Sequence, residues 1–375
     1  MGVSIEVISI VGARPQFIKA AAVRRAIEHC NSEPSSPAIV EKIVHTGQHY
    51  DENMSKIFFD ELRIPRPEYN LGVGSGSHGE QTGRILQKVE EVLVQEGPDI
   101  CIVYGDTNST LAGALAAAKL HIPVAHVEAG LRAFNRKMPE EINRILADRL
   151  SDLLFCPTET AVENLAKEGI IEGVHKTGDV MYDCTLFYAK KAKAIEQRTL
   201  EKLDIRPKSY YLTTVHRAEN TDDGQRLSDI AGAINEIATA DCPVILPLHP
   251  RTVACVEKYG LEFDSNVNII QPVSYLEMVV LESNARIILT DSGGVQKEAC
   301  WLGVPCITLR DETEWVETVE SGWNTLTGAD KDRIIKAVVR TGKLPVVNPR
   351  LIYGNGDAAE RMAGILVNFV YCKKD

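Results

Sequence analysis

Nothing in this chain of 375 residues is a long apolar run, and a membrane span needs ~20 consecutive apolar residues. The start lacks the basic opening, apolar stretch and small-residue cleavage site of a secretory leader. Its apolar run from Val7 to Val11 stops at Gly12-Ala13-Arg14-Pro15. Positive charge is in short supply: 41 Lys and Arg against 52 Asp and Glu leave a net charge of −11. General nucleic-acid binding is not expected, because phosphate contacts need a basic face, although an anionic small ligand can still sit in a locally basic cleft. The 9 cysteines are odd in number and include no Cys-x-x-Cys pair. Cys101, Cys156 and Cys306 lie in apolar segments and read as buried free thiols, so a reducing, cytoplasmic location is expected. There is no Gly-x-Ser-x-Gly elbow and no His-Glu-x-x-His helix. His45 and His49 have helical spacing, but Gly47 between them opposes a helix, and neither a catalytic metal nor a cofactor is expected. Short repeats and low-complexity segments are also missing.

What is present describes a globular α/β protein. Hydrophobic residues make up 44% and charged residues 25%, and the length suits two domains better than one. Apolar, strand-like runs alternate with helical stretches, the pattern of parallel sheets covered on both faces. The first half predicts strands at Glu6–Val11, Ile43–Thr46, Ile100–Tyr104, Pro123–Val127 and Leu153–Pro157. Helices are predicted at Gln16–His29, Gln81–Glu96 and Thr110–Leu120. A charged stretch from Lys190 to Lys208 reads as one helix and a turn. The pattern then restarts with strands at Tyr210–Val215, Val244–Leu248, Val267–Ile270, Ile287–Thr290 and Cys306–Leu309. Two Rossmann-like doubly wound domains facing a central cleft are expected. Residues 1–185 plus 355–375 form the first and 186–354 the second, with Ala358–Val370 packing back on the first.

In such sheets ligands bind beyond the carboxyl ends of the strands, and the polar clusters of this chain collect there. The first half places Gly12–Gln16, His45–His49, Gly105–Asn108 and His126–Gly130 after its strands. The second half places His216–Asn220, His249–Arg251, Asp291–Gly294 and Arg310–Thr313. The most informative is Thr290-Asp291-Ser292-Gly293-Gly294-Val295-Gln296-Lys297-Glu298, a strand-to-helix turn. Glycines there admit a ligand close to the backbone, and the helix N-terminus favours an anion. Glu298, about one turn further in, can take the two hydroxyls of a ribose. A nucleotide diphosphate fits this pattern, and so does a plain helix cap at Ser292 with a surface glutamate.

Three acids stand out. Asp106 and Glu128 end strands expected to be neighbours, and Glu140 follows Pro139 at the start of a helix, where it also suits the helix dipole. Carboxylates grouped in a cleft suit paired acid and base chemistry. Cations available to a diphosphate are Arg14, Lys19, Arg132, Arg144, His216, Arg217, Arg251 and Arg310. Arg144 also has Glu140 at i−4, the spacing of an ordinary helix pair.

Assembled, these blocks resemble the non-hydrolysing UDP-N-acetylglucosamine 2-epimerases. The shared residues are Gly12-Ala13-Arg14-Pro15 with Lys19, Gln48-His49, Gly105-Asp106-Thr107 and His126-Val127-Glu128-Ala129-Gly130-Leu131-Arg132. They continue with Pro139-Glu140-Glu141, Asn143-Arg144, His216-Arg217, His249-Pro250-Arg251 and Asp291-Ser292-Gly293-Gly294 with Glu298. The resemblance covers nearly the whole chain. It implies a glycosyltransferase-B-like architecture, a homodimer, a UDP-sugar substrate and no cofactor. It implies removal of the C2 proton as UDP leaves C1, then re-addition of UDP with the proton delivered to the opposite face. Asp106, Glu128 and Glu140 match the family's catalytic acids, supported by His216, Arg14 and Lys19. Ser292, Gly293, Gly294 and Glu298 match its UDP site, with His249 and Tyr275. Arg132, Arg144, Arg217, Arg310 and Thr313 are the remaining candidates for substrate contact.

One block departs from most of the family, which has Thr-Glu-Arg-Pro-Glu where this chain has Thr313-Glu314-Trp315-Val316-Glu317. With Gly12-Ala13-Arg14-Pro15-Gln16-Phe17-Ile18-Lys19, Tyr104-Gly105-Asp106-Thr107-Asn108-Ser109-Thr110 and His216-Arg217-Ala218-Glu219-Asn220-Thr221, it looks more like the branch acting on UDP-2,3-diacetamido-2,3-dideoxyglucuronic acid for surface polysaccharide. Arg136 or Lys137 would then face the substrate carboxylate. Competing readings are plain UDP-GlcNAc epimerisation, a UDP-sugar glycosyltransferase and a non-catalytic UDP-sugar sensor.

Overall fold

The computed structural model describes residues 4–33, 37–48, 66–341 and 348–374. The chain divides into two compact units, Met1–Cys184 with Ile352–Asp375, and Thr185–Leu351. In the first, β1 (Ile5–Val11), β2 (Ile39–His45), β3 (Tyr69–Asn70), β4 (Ile100–Tyr104), β5 (Val124–Val127), β6 (Leu153–Cys156) and β7 (Val174–Lys176) make one parallel sheet. Its order is β3-β2-β1-β4-β5-β6-β7. β4 and β5 are buried along their whole length, as strands must be when helices cover both faces.

The helices begin where the sequence supplies a start. Pro15 sits in the first turn of α1 (Arg14–Ser32), and Ser77 Oγ caps α2 (His78–Glu96). Thr107 and Thr110 form a capping box at α3 (Asn108–Lys119), and Pro139 opens α4 (Pro139–Leu150). Ile8, Ile10, Val103, Ala112, Ala116 and Ala147 belong to the core between sheet and helices. α5 (Val180–Ala192) carries the chain into the second unit. The C-terminal helix, Ala358–Lys374, returns to pack on α1.

The second unit repeats the plan. β8 (Tyr211–Thr214), β9 (Val244–Pro247), β10 (Val267–Ile270), β11 (Ile287–Thr290), β12 (Cys306–Thr308) and β13 (Asn324–Leu326) pair in parallel in the order β10-β9-β8-β11-β12-β13. Leu246, Leu289 and Ile307 fill one core with Ile234 and Ile334. Two further helices matter for the site, α6 (Tyr275–Asn284) and α7 (Gly293–Trp301).

In both units the strand order reverses direction beside the first strand, between β1 and β4 and between β8 and β11. These are the switch points at which doubly wound sheets bind ligands. The sequence reading missed β3, β7 and β13, and the Lys190–Lys208 stretch holds the end of α5 and a separate helix, Glu196–Lys202. Among the described residues no helix is long and apolar enough to cross a membrane. Cys101, Cys156, Cys184, Cys242, Cys300 and Cys306 are buried free thiols.

Candidate active site

Beside the first switch point the neighbouring strands β4 and β5 end in register, Tyr104 opposite Val127, so Gly105-Asp106 and Glu128 leave the sheet side by side. Glu128 holds a left-handed backbone, φ +75°, which costs a non-glycine residue ~1–3 kcal/mol and marks a position that its surroundings enforce. Its Oε2 forms an ion pair with Lys19 Nζ from α1, with both side chains no more than 10% exposed. Gly105, φ +64°, makes room for that pair: a Cβ there would stand 3.2 Å from Lys19 Nζ and 3.4 Å from Glu128 Oε2.

Asp106 is gripped from α4. Arg144 Nη2 donates to its Oδ2 at 2.6 Å and Asn143 Nδ2 to its carbonyl at 2.9 Å, leaving the side chain 31% exposed. Arg144 therefore does not pair with Glu140; its second partner is Glu141 Oε2 at 3.0 Å. Glu141 is buried and also accepts the Ala133 and Phe134 N–H groups. Glu140, in the first turn of α4, is exposed and has no ion pair among the described residues. Behind the acids, His126 hydrogen-bonds Gly105 O through Nε2 and Asp148 Oδ1 through Nδ1, each at 2.7 Å. Burial alone would raise the Asp148 carboxyl, but the bonds and charges of His126 and Arg132 hold it below its ordinary range. The arrangement ties the β4 and β5 loops to α4, so Asp106 and Glu128 are fixed relative to each other.

At the second switch point Asp291 organises both loops. Its buried carboxylate accepts the His216 and Arg217 N–H groups at 3.0 Å and Asn220 Nδ2 at 3.2 Å. His216 Nδ1 lies 3.1 Å from Oδ1, with the ring side chain 51% exposed. These contacts outweigh burial and lower the Asp291 carboxyl. Ser292 occupies the N-cap of α7 without a side-chain cap bond, and Gly293 and Gly294 are the first two helical residues. That leaves the amides of the first turn directed outward. Glu298 is buried and its Oε1 accepts the Tyr275 hydroxyl of α6 at 3.0 Å. His249 caps the helix Pro250–Lys258, accepting the Arg251 N–H through Nδ1 at 3.3 Å. Thr313 Oγ1 donates to Gln296 Oε1 of α7 at 2.7 Å.

Most of the expected free cations are engaged. Arg132 is buried against Asp148 and, in a two-pronged contact, Glu168. Arg310 is 2% exposed and donates to Glu314 Oε2 at 3.0 Å, with Glu219 3.4 Å from its Nε. Arg251 pairs with Asp222. Arg217 is half-buried and without an ion pair among the described residues. The Arg14 side chain and His49 lie outside the described part of the structure. The sequence reading missed the organising role of Asp291, and also Glu141 and Asp148. Glu141, Arg144 and Asp148 recur at helical spacing on one face of α4 and are all buried, a charged stripe that its spacing would have exposed.

Comparison with known proteins covers nearly the whole chain. Residues 33–367 match the family model described as UDP-N-acetylglucosamine 2-epimerase. A UDP-N-acetylglucosamine 2-epimerase homolog of Methanococcus maripaludis is 52% identical, covering 97% of this chain and 99% of its own. The UDP-2,3-diacetamido-2,3-dideoxy-D-glucuronate 2-epimerase of Pseudomonas aeruginosa is 50% identical, covering 96% of this chain and 99% of its own. The crystal structure of Methanocaldococcus jannaschii UDP-GlcNAc 2-epimerase with UDP-GlcNAc and UDP superposes with a TM-score of 0.87 at 48% identity. It covers 97% of this chain and 100% of that one. The chain belongs to the UDP-N-acetylglucosamine 2-epimerase family.

Proposed function

We propose that the protein inverts C2 of a UDP-2-acetamido sugar, with Asp106, Glu128 and Glu140 as its acid and base groups. The observation that carries this is the pair of carboxylates leaving adjacent strand ends, Asp106 held by Arg144 and Glu128 by Lys19. One carboxylate takes the C2 proton while the C1–O bond to UDP breaks, and the electron pair left at C2 becomes the C1–C2 double bond of a glycal. UDP oxygen then re-forms the bond at C1 as a proton reaches C2 from the opposite face. Atoms balance without an oxidant or a second substrate. Each well-placed acid or base contributes ~10²–10⁴-fold to rate. Lys19 and Arg144 keep carboxylates positioned. The turn at Ser292–Gly294, with Glu298 and Tyr275, is assigned to the diphosphate and ribose, and His216 and Arg217 to the departing phosphate.

Two substrates fit the family. The Thr313–Glu317 block favours UDP-2,3-diacetamido-2,3-dideoxyglucuronate, and the M. jannaschii relative supports UDP-GlcNAc. Incubation of the pure protein with each sugar nucleotide and no acceptor, followed by proton NMR, decides. A manno-configured product at unchanged total UDP-sugar is expected, faster from the diacetamido-uronate. Sugar transfer that appears only on adding an acceptor would replace this reading with a glycosyltransferase. We infer a homodimer acting in the cytoplasm, which sedimentation of the pure protein and fractionation of the cell would test.

A further inference from the structure

The diphosphate turn has fewer free cations around it than its sequence promised, since Arg310 and Arg251 are bound to acids. One neighbouring donor is unengaged. Trp315 is 4% exposed; its backbone N–H donates to Thr313 Oγ1 at 3.1 Å and its carbonyl accepts from Thr318 Oγ1 at 2.7 Å. The indole Nε1 makes no hydrogen bond among the described residues and is not one of the buried atoms left without a partner, so this donor stays accessible although the rest of the side chain is packed. It lies 3.4 Å from the point where a Cβ on Gly293 would stand, beside the first residue of α7.

The face of the same ring is occupied. Lys297, one turn along α7 from Gly293 and 3% exposed, places Nζ 3.6 Å from the Trp315 ring centre and 5.2 Å from that of Trp301. An ammonium on the ring face is held by the quadrupole, and it draws electron density from the edge where the N–H lies, strengthening that donor. A carboxylate also borders this spot, since Glu314 Oε1 stands 2.7 Å from the same Cβ position. Its Oε2 accepts from Arg310, so the charge is compensated, and Gly293 is the residue that fits against it.

We propose that Trp315 is a diphosphate-binding residue, its indole N–H donating to a non-bridging phosphate oxygen held at the N-terminus of α7. This rests on the nucleotide-diphosphate reading of that turn. Trp315→Phe keeps an aromatic face for Lys297 and removes the N–H together with part of the bicyclic ring. Calorimetric titration should show UDP affinity falling roughly 10- to 100-fold in that variant, with uridine affinity, read by NMR titration, unchanged; the smaller ring lowers the thermal unfolding midpoint, and the unchanged uridine affinity shows that the variant is folded. Trp315→Leu, which also removes the ring face, should lose more UDP affinity than Trp315→Phe. Wild-type UDP affinity in Trp315→Phe, or equal losses for UDP and uridine, would overturn the assignment while leaving the proposed function standing. A wild-type protein that binds no UDP would overturn both.

Discussion

Replacing Asp183 with Asn should make the first unit less sensitive to rising pH. Asp183 lies on α5, and its Oδ2 accepts the Ala359 N–H at 2.8 Å, tying the start of the C-terminal helix to the unit. Its Oδ1 is buried without a hydrogen-bond partner among the described residues. Burial pushes the carboxyl up to about 7, the Ala358 and Ala359 N–H groups oppose this, and Asp179 and Asp357 add to it. In the unfolded chain the same group loses its proton near its ordinary value of ~3.9. Between those values the folded state binds more protons, so stability falls as pH rises through the window and stays lower above it. From about pH 5 to about pH 8 the loss assigned to this group is ~2–3 kcal/mol, at 1.36 kcal/mol per pH unit. Asparagine can still accept the Ala359 N–H but cannot titrate. Urea unfolding of the first unit at both pH values should show the variant gaining ~2–3 kcal/mol on wild type as pH rises. Parallel pH profiles would refute the argument.

Other perturbations separate the assigned roles. Glu128→Gln should cut turnover by ~10²–10⁴-fold or more while UDP affinity stays near wild type; a comparable loss of UDP binding would mean that Glu128 is misassigned. Ser292→Ala combined with Glu298→Ala should weaken UDP binding in titration calorimetry, and an unchanged isotherm would remove that turn from the nucleotide site. Arg144→Met leaves Asp106 and the buried Glu141 uncompensated, so a stability loss of ~3–5 kcal/mol is expected together with reduced turnover. Unaltered unfolding would show that the α4 ion pairs do not hold the Asp106 loop.

Much of the fold was legible because strands covered on both faces must be apolar throughout. Ile100–Tyr104 and Ile287–Thr290 are buried throughout and are read from sequence at their observed bounds, and so is Val267–Ile270 at the sheet edge, although Asn268 interrupts its apolar run. β2 starts earlier than its apolar run because the charged pair Glu41-Lys42 interrupts it; Glu41 is buried and accepts Ser9 Oγ at 2.5 Å. β3, β7 and β13 are two or three residues long and carry polar side chains, so alternation has nothing to reveal. The sequence placed Asp106 and Glu128 after strands and Glu140 at a helix start, and the structure has them at those places. Their partners were not legible, since Arg144 chooses Asp106 and Glu141 over Glu140 by the direction its helix face points. Arg132 and Arg310 looked like open cations for the same reason: sequence gives charge, and only packing gives burial.

Incubation of the pure protein with its UDP-sugar in deuterium oxide tests the proton-transfer chemistry most directly. The expected product is C2-inverted with deuterium in place of hydrogen at C2, because one carboxylate removes that proton and another proton from solvent reaches C2. Inversion with the original hydrogen retained at C2 would contradict that chemistry.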